Sequence, residues 1–123
     1  MRHVLIIEDM YLFQQYLKDI VTLAGASSIA LASTQEEAIR SAAAKKPFLI
    51  LSDIKLSQGS GLLAIDTILA DHGDIPVIYI TGYPNSFHGS TDPATLLTKP
   101  VSADTLLSAV SAYFVADPVA RYH

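Results

Sequence analysis

The chain reads as an α/β domain built on a parallel sheet with helices on both faces, and three observations lead there. Short apolar runs recur along it: Val4-Leu5-Ile6-Ile7, Phe48-Leu49-Ile50-Leu51, Val77-Ile78-Tyr79-Ile80 and the shorter Leu96-Leu97-Thr98. They are continuous rather than alternating, as strands covered on both faces are. Helix-length segments with apolar residues three and four apart separate them, which argues for βα units. Each run also stops at polar residues, Glu8-Asp9, Ser52-Asp53, Thr81-Gly82 and Lys99-Pro100. In an open α/β sheet those positions share the carboxyl edge, where ligands bind.

The first run opens the sheet. After Asp9, Phe13, Leu17, Ile20, Val21 and Ala24 recur at helical spacing, and Gly25 supplies the stop. Ile29 and Leu31 alternate with small residues as a short second strand. Ser33 and Glu36 have the spacing of a capping box for a second helix carrying Ala38, Ile39, Ala42 and Ala43, ended at Lys45-Lys46-Pro47. Beyond the third strand, Gly59-Ser60-Gly61 forms a turn before a helix with Leu62, Ile65, Ile68 and Leu69 on one face, closed near Gly73. Pro76 opens the fourth strand. Residues 83–93 hold Pro, Asn, Ser, Gly, His and Asp in place of helix formers, so a fourth helix is expected to be short or disordered. Ser102 caps a last helix with Leu106, Leu107, Val110, Tyr113 and Phe114 along its stripe, and Asp117-Pro118 ends the domain. The expectation is one domain over 1–123, its core about 3–116.

Composition narrows the function. With 123 residues, half of them hydrophobic and 16% charged, the chain can bury a core without disulfides or metal staples. A net charge of −4 gives no basic patch, so nucleic acid is set aside as a ligand. Cysteine is absent, which removes thiolate chemistry and fits a reducing compartment. The N-terminal apolar run is too short for a signal peptide or a membrane span, so a cytoplasmic protein with no membrane contact is expected. His3, His72, His88 and His123 lack metal-ligand spacing and are expected at the surface or in loops.

The polar strand ends carry the chemistry. Glu8, Asp9 and Asp53, drawn together at one edge, would repel unless a cation sat among them, and hard carboxylate oxygens suit Mg²⁺. An Asp carboxylate can attack a phosphoryl group, which makes Asp53 the candidate nucleophile. Such transfer requires positive charge and hydrogen-bond donors around the phosphoryl oxygens; Lys99 and Thr81 supply them. Lys55 is expected to pair with Glu8 or to screen the site. Singly each of these is an ordinary surface residue; their joint placement is what points to a site.

The acidic pair after strand one, Asp53 after strand three, Thr81 after strand four and Lys99-Pro100 after strand five resemble a response-regulator receiver domain. Leu56, Gly61 and Leu62 also match. The resemblance covers essentially the whole chain. It implies a flavodoxin-like, doubly wound (βα)5 fold with strand order 2-1-3-4-5. It implies Mg²⁺-dependent phosphorylation of Asp53 by a histidine kinase or phosphotransfer protein. It implies metal ligation by Glu8, Asp9, Asp53 and the Lys55 backbone carbonyl, and a cis Lys99-Pro100 peptide. Receivers often carry an aromatic residue three positions before that Lys; Leu96 stands there, and the span from Thr81 to Leu96 is shorter than usual by roughly one helical turn. Tyr79-Ile80-Thr81-Gly82-Tyr83 resembles the Phe-Ala-Thr-Gly signature of the "FATGUY" receivers, associated with bacterial stress responses and often stand-alone.

The reading is therefore a single-domain response regulator that switches its affinity for a downstream protein target. It promotes its own phosphorylation and dephosphorylation without being an enzyme in the usual sense. Open beside it stand a non-phosphorylated interaction module, a receiver fragment of a hybrid kinase, and an enzyme of similar topology such as a flavin carrier or phosphatase. Lys55 stands where Asp-x-Asp phosphatases place their second Asp.

Overall fold

The protein is described by a computed structural model over residues 2–84 and 94–115. The elements run β1 His3–Ile7, α1 Tyr11–Ala24, β2 Ser28–Ala32, α2 Gln35–Ala44, β3 Leu49–Ser52, α3 Gly61–His72, β4 Val77–Thr81, β5 Ala94–Thr98 and α4 Ala103–Val115. All five strands are parallel, in the order β2-β1-β3-β4-β5. That is the expected doubly wound fold. The expected short or disordered helix within 83–93 falls on residues outside those described, apart from its first two.

The continuous apolar runs are explained by a core on each face. Leu5, Ile7, Ile50 and Val77 meet Ala38 and Ala42 of α2 and Ala64, Ile65 and Ile68 of α3. Val4, Ile6, Leu49, Leu51, Ile78 and Ile80 face the other way, onto Leu17, Ile20 and Val21 of α1 and Leu106, Val110 and Phe114 of α4. Because successive strand side chains alternate in direction, a strand covered on both faces must be apolar throughout.

Helix ends follow local chemistry. Gly25 adopts φ 109°, and the N–H groups of Gly25 and Ala26 close on Thr22 O and Val21 O. The cap of α2 lies one residue later than the sequence suggests. Thr34 Oγ1 accepts from Glu37 N at 3.1 Å, and Glu37 Oε1 accepts from Ser33 N at 2.7 Å. Both Ser33/Glu36 and Thr34/Glu37 have capping spacing, and burial of Ala38 and Ala42 against the sheet decides between them. Ala43 is turned to solvent in that register. Ser102 caps α4 as expected, accepting from Thr105 N at 3.1 Å.

His3 corrects another expectation. It lies in β1, only 6% exposed, with Nδ1 2.8 Å from Ser28 Oγ on the paired strand. The hydroxyl satisfies a ring nitrogen that burial would otherwise orphan. Burial, then the Lys45 charge, lower its pKa against the opposing effect of the Ser28 hydrogen bond.

Candidate functional site

β1 and β3 are neighbours at the point where the strand order reverses, so their carboxyl ends flank the crevice of the doubly wound sheet. Glu8 continues β1, its N–H reaching Ala32 O at 2.9 Å, and its carboxyl is fully buried. Gln14 Nε2, one turn into α1, donates to Glu8 O at 3.0 Å and fixes the strand-to-helix corner. Asp53 continues β3, its N–H bonded to Ile7 O at 3.0 Å, and is 9% exposed. Thr81 closes β4 and is buried; its carbonyl accepts from Lys99 N at 2.8 Å. The Lys99-Pro100 peptide is cis.

One ammonium joins these ends. Lys99 Nζ donates to Glu8 Oε1 at 3.1 Å and to Asp53 Oδ2 at 3.0 Å. Glu8 Oε2 accepts from Met10 N at 3.0 Å, and Asp53 Oδ1 accepts from Ile54 N at 2.7 Å. Asp9 stands at the rim, where its Oδ2 accepts from Ser57 N at 2.6 Å. Thr81 Oγ1 accepts from Tyr83 N at 3.0 Å. A hydroxyl has one proton to give and two lone pairs, so this bond leaves the Thr81 O–H free to donate elsewhere.

The electrostatics follow the packing. Burial pushes the Glu8 carboxyl up, against the opposing effects of the Met10 N–H and Lys99. Burial acts upward on Asp9 too, but hydrogen bonding to Ser57 and Glu8 outweighs it and holds Asp9 below the usual range. For Lys99 burial favours the neutral amine, while the Asp53 hydrogen bond and the Glu8 and Asp53 charges prevail and raise it. The site therefore keeps its cation.

Lys55 does not meet Glu8. Its ammonium lies 4.4 Å from the centre of the Tyr83 ring, because its side chain leaves the β3–α3 loop toward the loop after β4. Lys99 takes the Glu8 carboxyl instead. Lys99 Nζ lies in turn 4.3 Å from the centre of the Phe13 ring on α1.

Sequence reasoning missed several supporting residues. Phe13 follows Asp9 by four positions, a helical spacing that could have drawn attention to it. Gln35 gave no signal: its Oε1 accepts from Ser60 N at 2.9 Å and its N–H reaches Gln58 O at 3.2 Å, which ties the β3–α3 loop to the start of α2. Turn chemistry alone would account for Gly61 in the Gly59-Ser60-Gly61 loop, yet a Cβ there would lie 1.8 Å from Asp53 O. It is glycine because the backbone carrying Asp53 runs against it.

Residues 4–111 match the response regulator receiver domain family. The chain belongs to that family. The phyllosphere-induced regulator PhyR of Methylorubrum extorquens is 38% identical over 112 residues, which cover 88% of this receiver and 42% of that protein. The receiver thus spans less than half of that relative. Among solved structures, the receiver domain of Erythrobacter litoralis PhyR superposes with a TM-score of 0.81 at 37% identity, covering 93% of this chain and 90% of that one. The response regulator PhyR of Brucella abortus gives 0.73 at 29% identity, covering 98% and 51%. Among the described residues, no helix of this receiver is long and apolar enough to cross a membrane.

Residues for a metal ion can be weighed on their donors. Among the described residues no three carboxylate or imidazole groups close into a cage sufficient by themselves. Mg²⁺ needs less, one or two carboxylates with water and phosphate oxygens for the rest. Asp9 and Asp53 are such carboxylates, and the Ser57 N–H that orients Asp9 belongs to the loop that carries the Lys55 carbonyl. The donor set is all hard oxygen and fits the ion.

Proposed function

We propose that this receiver accepts a phosphoryl group on Asp53 from the phosphohistidine of a kinase or phosphotransfer protein and thereby changes its affinity for a downstream protein. The observation that carries this reading is the Lys99 ammonium held 3.0 Å from Asp53 Oδ2 at a buried strand end. An Asp53 carboxylate oxygen attacks phosphorus. The P–N bond to the donor imidazole breaks, its electron pair stays on that nitrogen, and a mixed acyl phosphate remains on Asp53. The chain's own part is placement: Lys99 sets positive charge beside the nucleophile, and Thr81 offers its hydroxyl proton to a new oxygen.

Asp9, Asp53 and the Lys55 carbonyl would hold Mg²⁺, which when bound offsets charge on the phosphoryl oxygens. Glu8 contributes a nearby negative charge and anchors Lys99 through Oε1, while its Oε2 accepts from the Met10 N–H. Thr81, on turning to the phosphoryl group, carries the change to Tyr83 through the hydrogen bond from the Tyr83 N–H. Leu96 packs in the α2/α3-side core, paired across the sheet with Tyr79, so the loop after Thr81 takes the place of a strand-five aromatic in the switch.

Incubation with acetyl phosphate and Mg²⁺ tests the reading. The expected result is a phosphoryl mass increase that Asp53→Asn abolishes. An unlabelled wild type overturns it and leaves a non-phosphorylated docking module; a label that persists in Asp53→Asn overturns it by placing the phosphoryl group on another residue.

A further inference from the structure

The Lys99 ammonium makes three contacts among the described residues: the Glu8 and Asp53 carboxylates and the face of Phe13 at 4.3 Å. Phe13 is fixed from behind. It packs against the α1/α4-side core and tilts onto Tyr16 with ring centres 5.7 Å apart. A core-filling phenylalanine needs no cation on its face; this one presents its π cloud to the ammonium that serves the nucleophile.

We propose that Phe13 is a positioning residue for phosphoryl transfer: its ring keeps the Lys99 ammonium beside Asp53 while leaving it free to shift toward an incoming phosphoryl oxygen. The inference rests on Asp53 being the phosphoacceptor. During transfer Lys99 must pass from a carboxylate oxygen to a phosphoryl oxygen. A third carboxylate in place of the ring would hold it by a short, directional, charge-assisted bond and resist that passage. An aliphatic side chain would exert no pull, and the flexible four-carbon stem would wander. Cation–π attraction is broad, extending to about 6 Å from the ring centre, so the ammonium can slide across the face and stay supported.

Two measurements test this. In side-chain NMR of the wild type, the Lys99 ε-methylene protons are expected upfield of those of Lys18, Lys45 and Lys46 by the ring current, in Phe13→Tyr likewise, and at the ordinary position in Phe13→Leu. Labelling rates with acetyl phosphate are expected to fall about three- to tenfold in Phe13→Leu and to stay within about twofold in Phe13→Tyr, the range a partly buried cation–π contact controls. Unshifted Lys99 protons in the wild type, a Phe13→Leu protein that labels at the wild-type rate, or a Phe13→Tyr protein as slow as Phe13→Leu would each overturn the proposal. A wild type that shows the ring-current shift but never labels would instead remove the phosphoacceptor reading beneath it.

Discussion

Gly61→Ala probes a close approach among the described residues, where the start of α3 meets the backbone of Asp53. The added Cβ would lie 1.8 Å from Asp53 O and 2.6 Å from Ser52 Oγ, and real Cβ contacts essentially never fall below 3.0 Å. The first obstacle is backbone, so no rotamer change relieves it; α3 or the end of β3 must move by more than 1 Å. Such overpacking costs about 1–3 kcal/mol. The Gly61 N–H to Ile54 O bond, 2.8 Å long, is strained or lost in the same movement, a further loss of about 1 kcal/mol. Restricting the unfolded chain returns about 0.4–1 kcal/mol, so the net loss is about 1–3.6 kcal/mol, a large share of the ~5–15 kcal/mol typical of a folded domain. Urea unfolding followed by circular dichroism should show the midpoint falling by about 1 M at unchanged slope. Gly82→Ala is the control, because a Cβ there meets nothing within 4 Å among the described residues and the backbone is not left-handed; its cost should stay under about 0.5 kcal/mol. A Gly61→Ala protein that unfolds at the wild-type midpoint would refute the reasoning.

Further outcomes follow from the site and the caps. Lys99→Met leaves the buried Glu8 and Asp53 without their ammonium and should cost about 1–3 kcal/mol at pH 8, below the full cost of breaking a buried pair because Glu8 can take up a proton. The raised Glu8 pKa makes its stabilisation full at low pH and lost as pH rises through the folded value, so the Lys99→Met penalty should shrink at pH 5; an equal penalty at both would count against this. His3 has the opposite sign. Its pKa is depressed in the fold, so its contribution is present above about 6.5 and lost as pH falls through the folded value, and wild type should lose more stability than His3→Gln between pH 7 and 5. Parallel pH profiles for the two proteins would show that His3 does not titrate as described. Thr34→Ala should cost about 0.5–2 kcal/mol by thermal unfolding, while Ser33→Ala, whose hydroxyl does not cap α2, should cost less.

Much of this was legible in the residues themselves. The strands announced themselves because burial on both faces requires unbroken apolar runs, and Asp53, Thr81 and Lys99 stood out because each interrupts or closes one. The register of α2 was less legible, since adjacent hydroxyls and adjacent glutamates offer two equivalent caps and only packing of Ala38 and Ala42 chooses. His3 was misplaced because a histidine at a strand start gives no sign of the Ser28 hydroxyl awaiting it across the sheet. The partners of the lysines were hidden for a similar reason. Long flexible side chains reach whatever the fold brings near, so the sequence could not say that Lys55 would turn to Tyr83 and Lys99 to Phe13 and Glu8.

The pairing of β4 with β5 has one more consequence. Thr81 lies opposite Thr98, and the Lys99 N–H is bonded to the Thr81 carbonyl. Thr81 and Lys99 are thus yoked to one another through the ladder. The spacing of those two residues is therefore set by strand pairing, whatever the length of chain that joins the two strands.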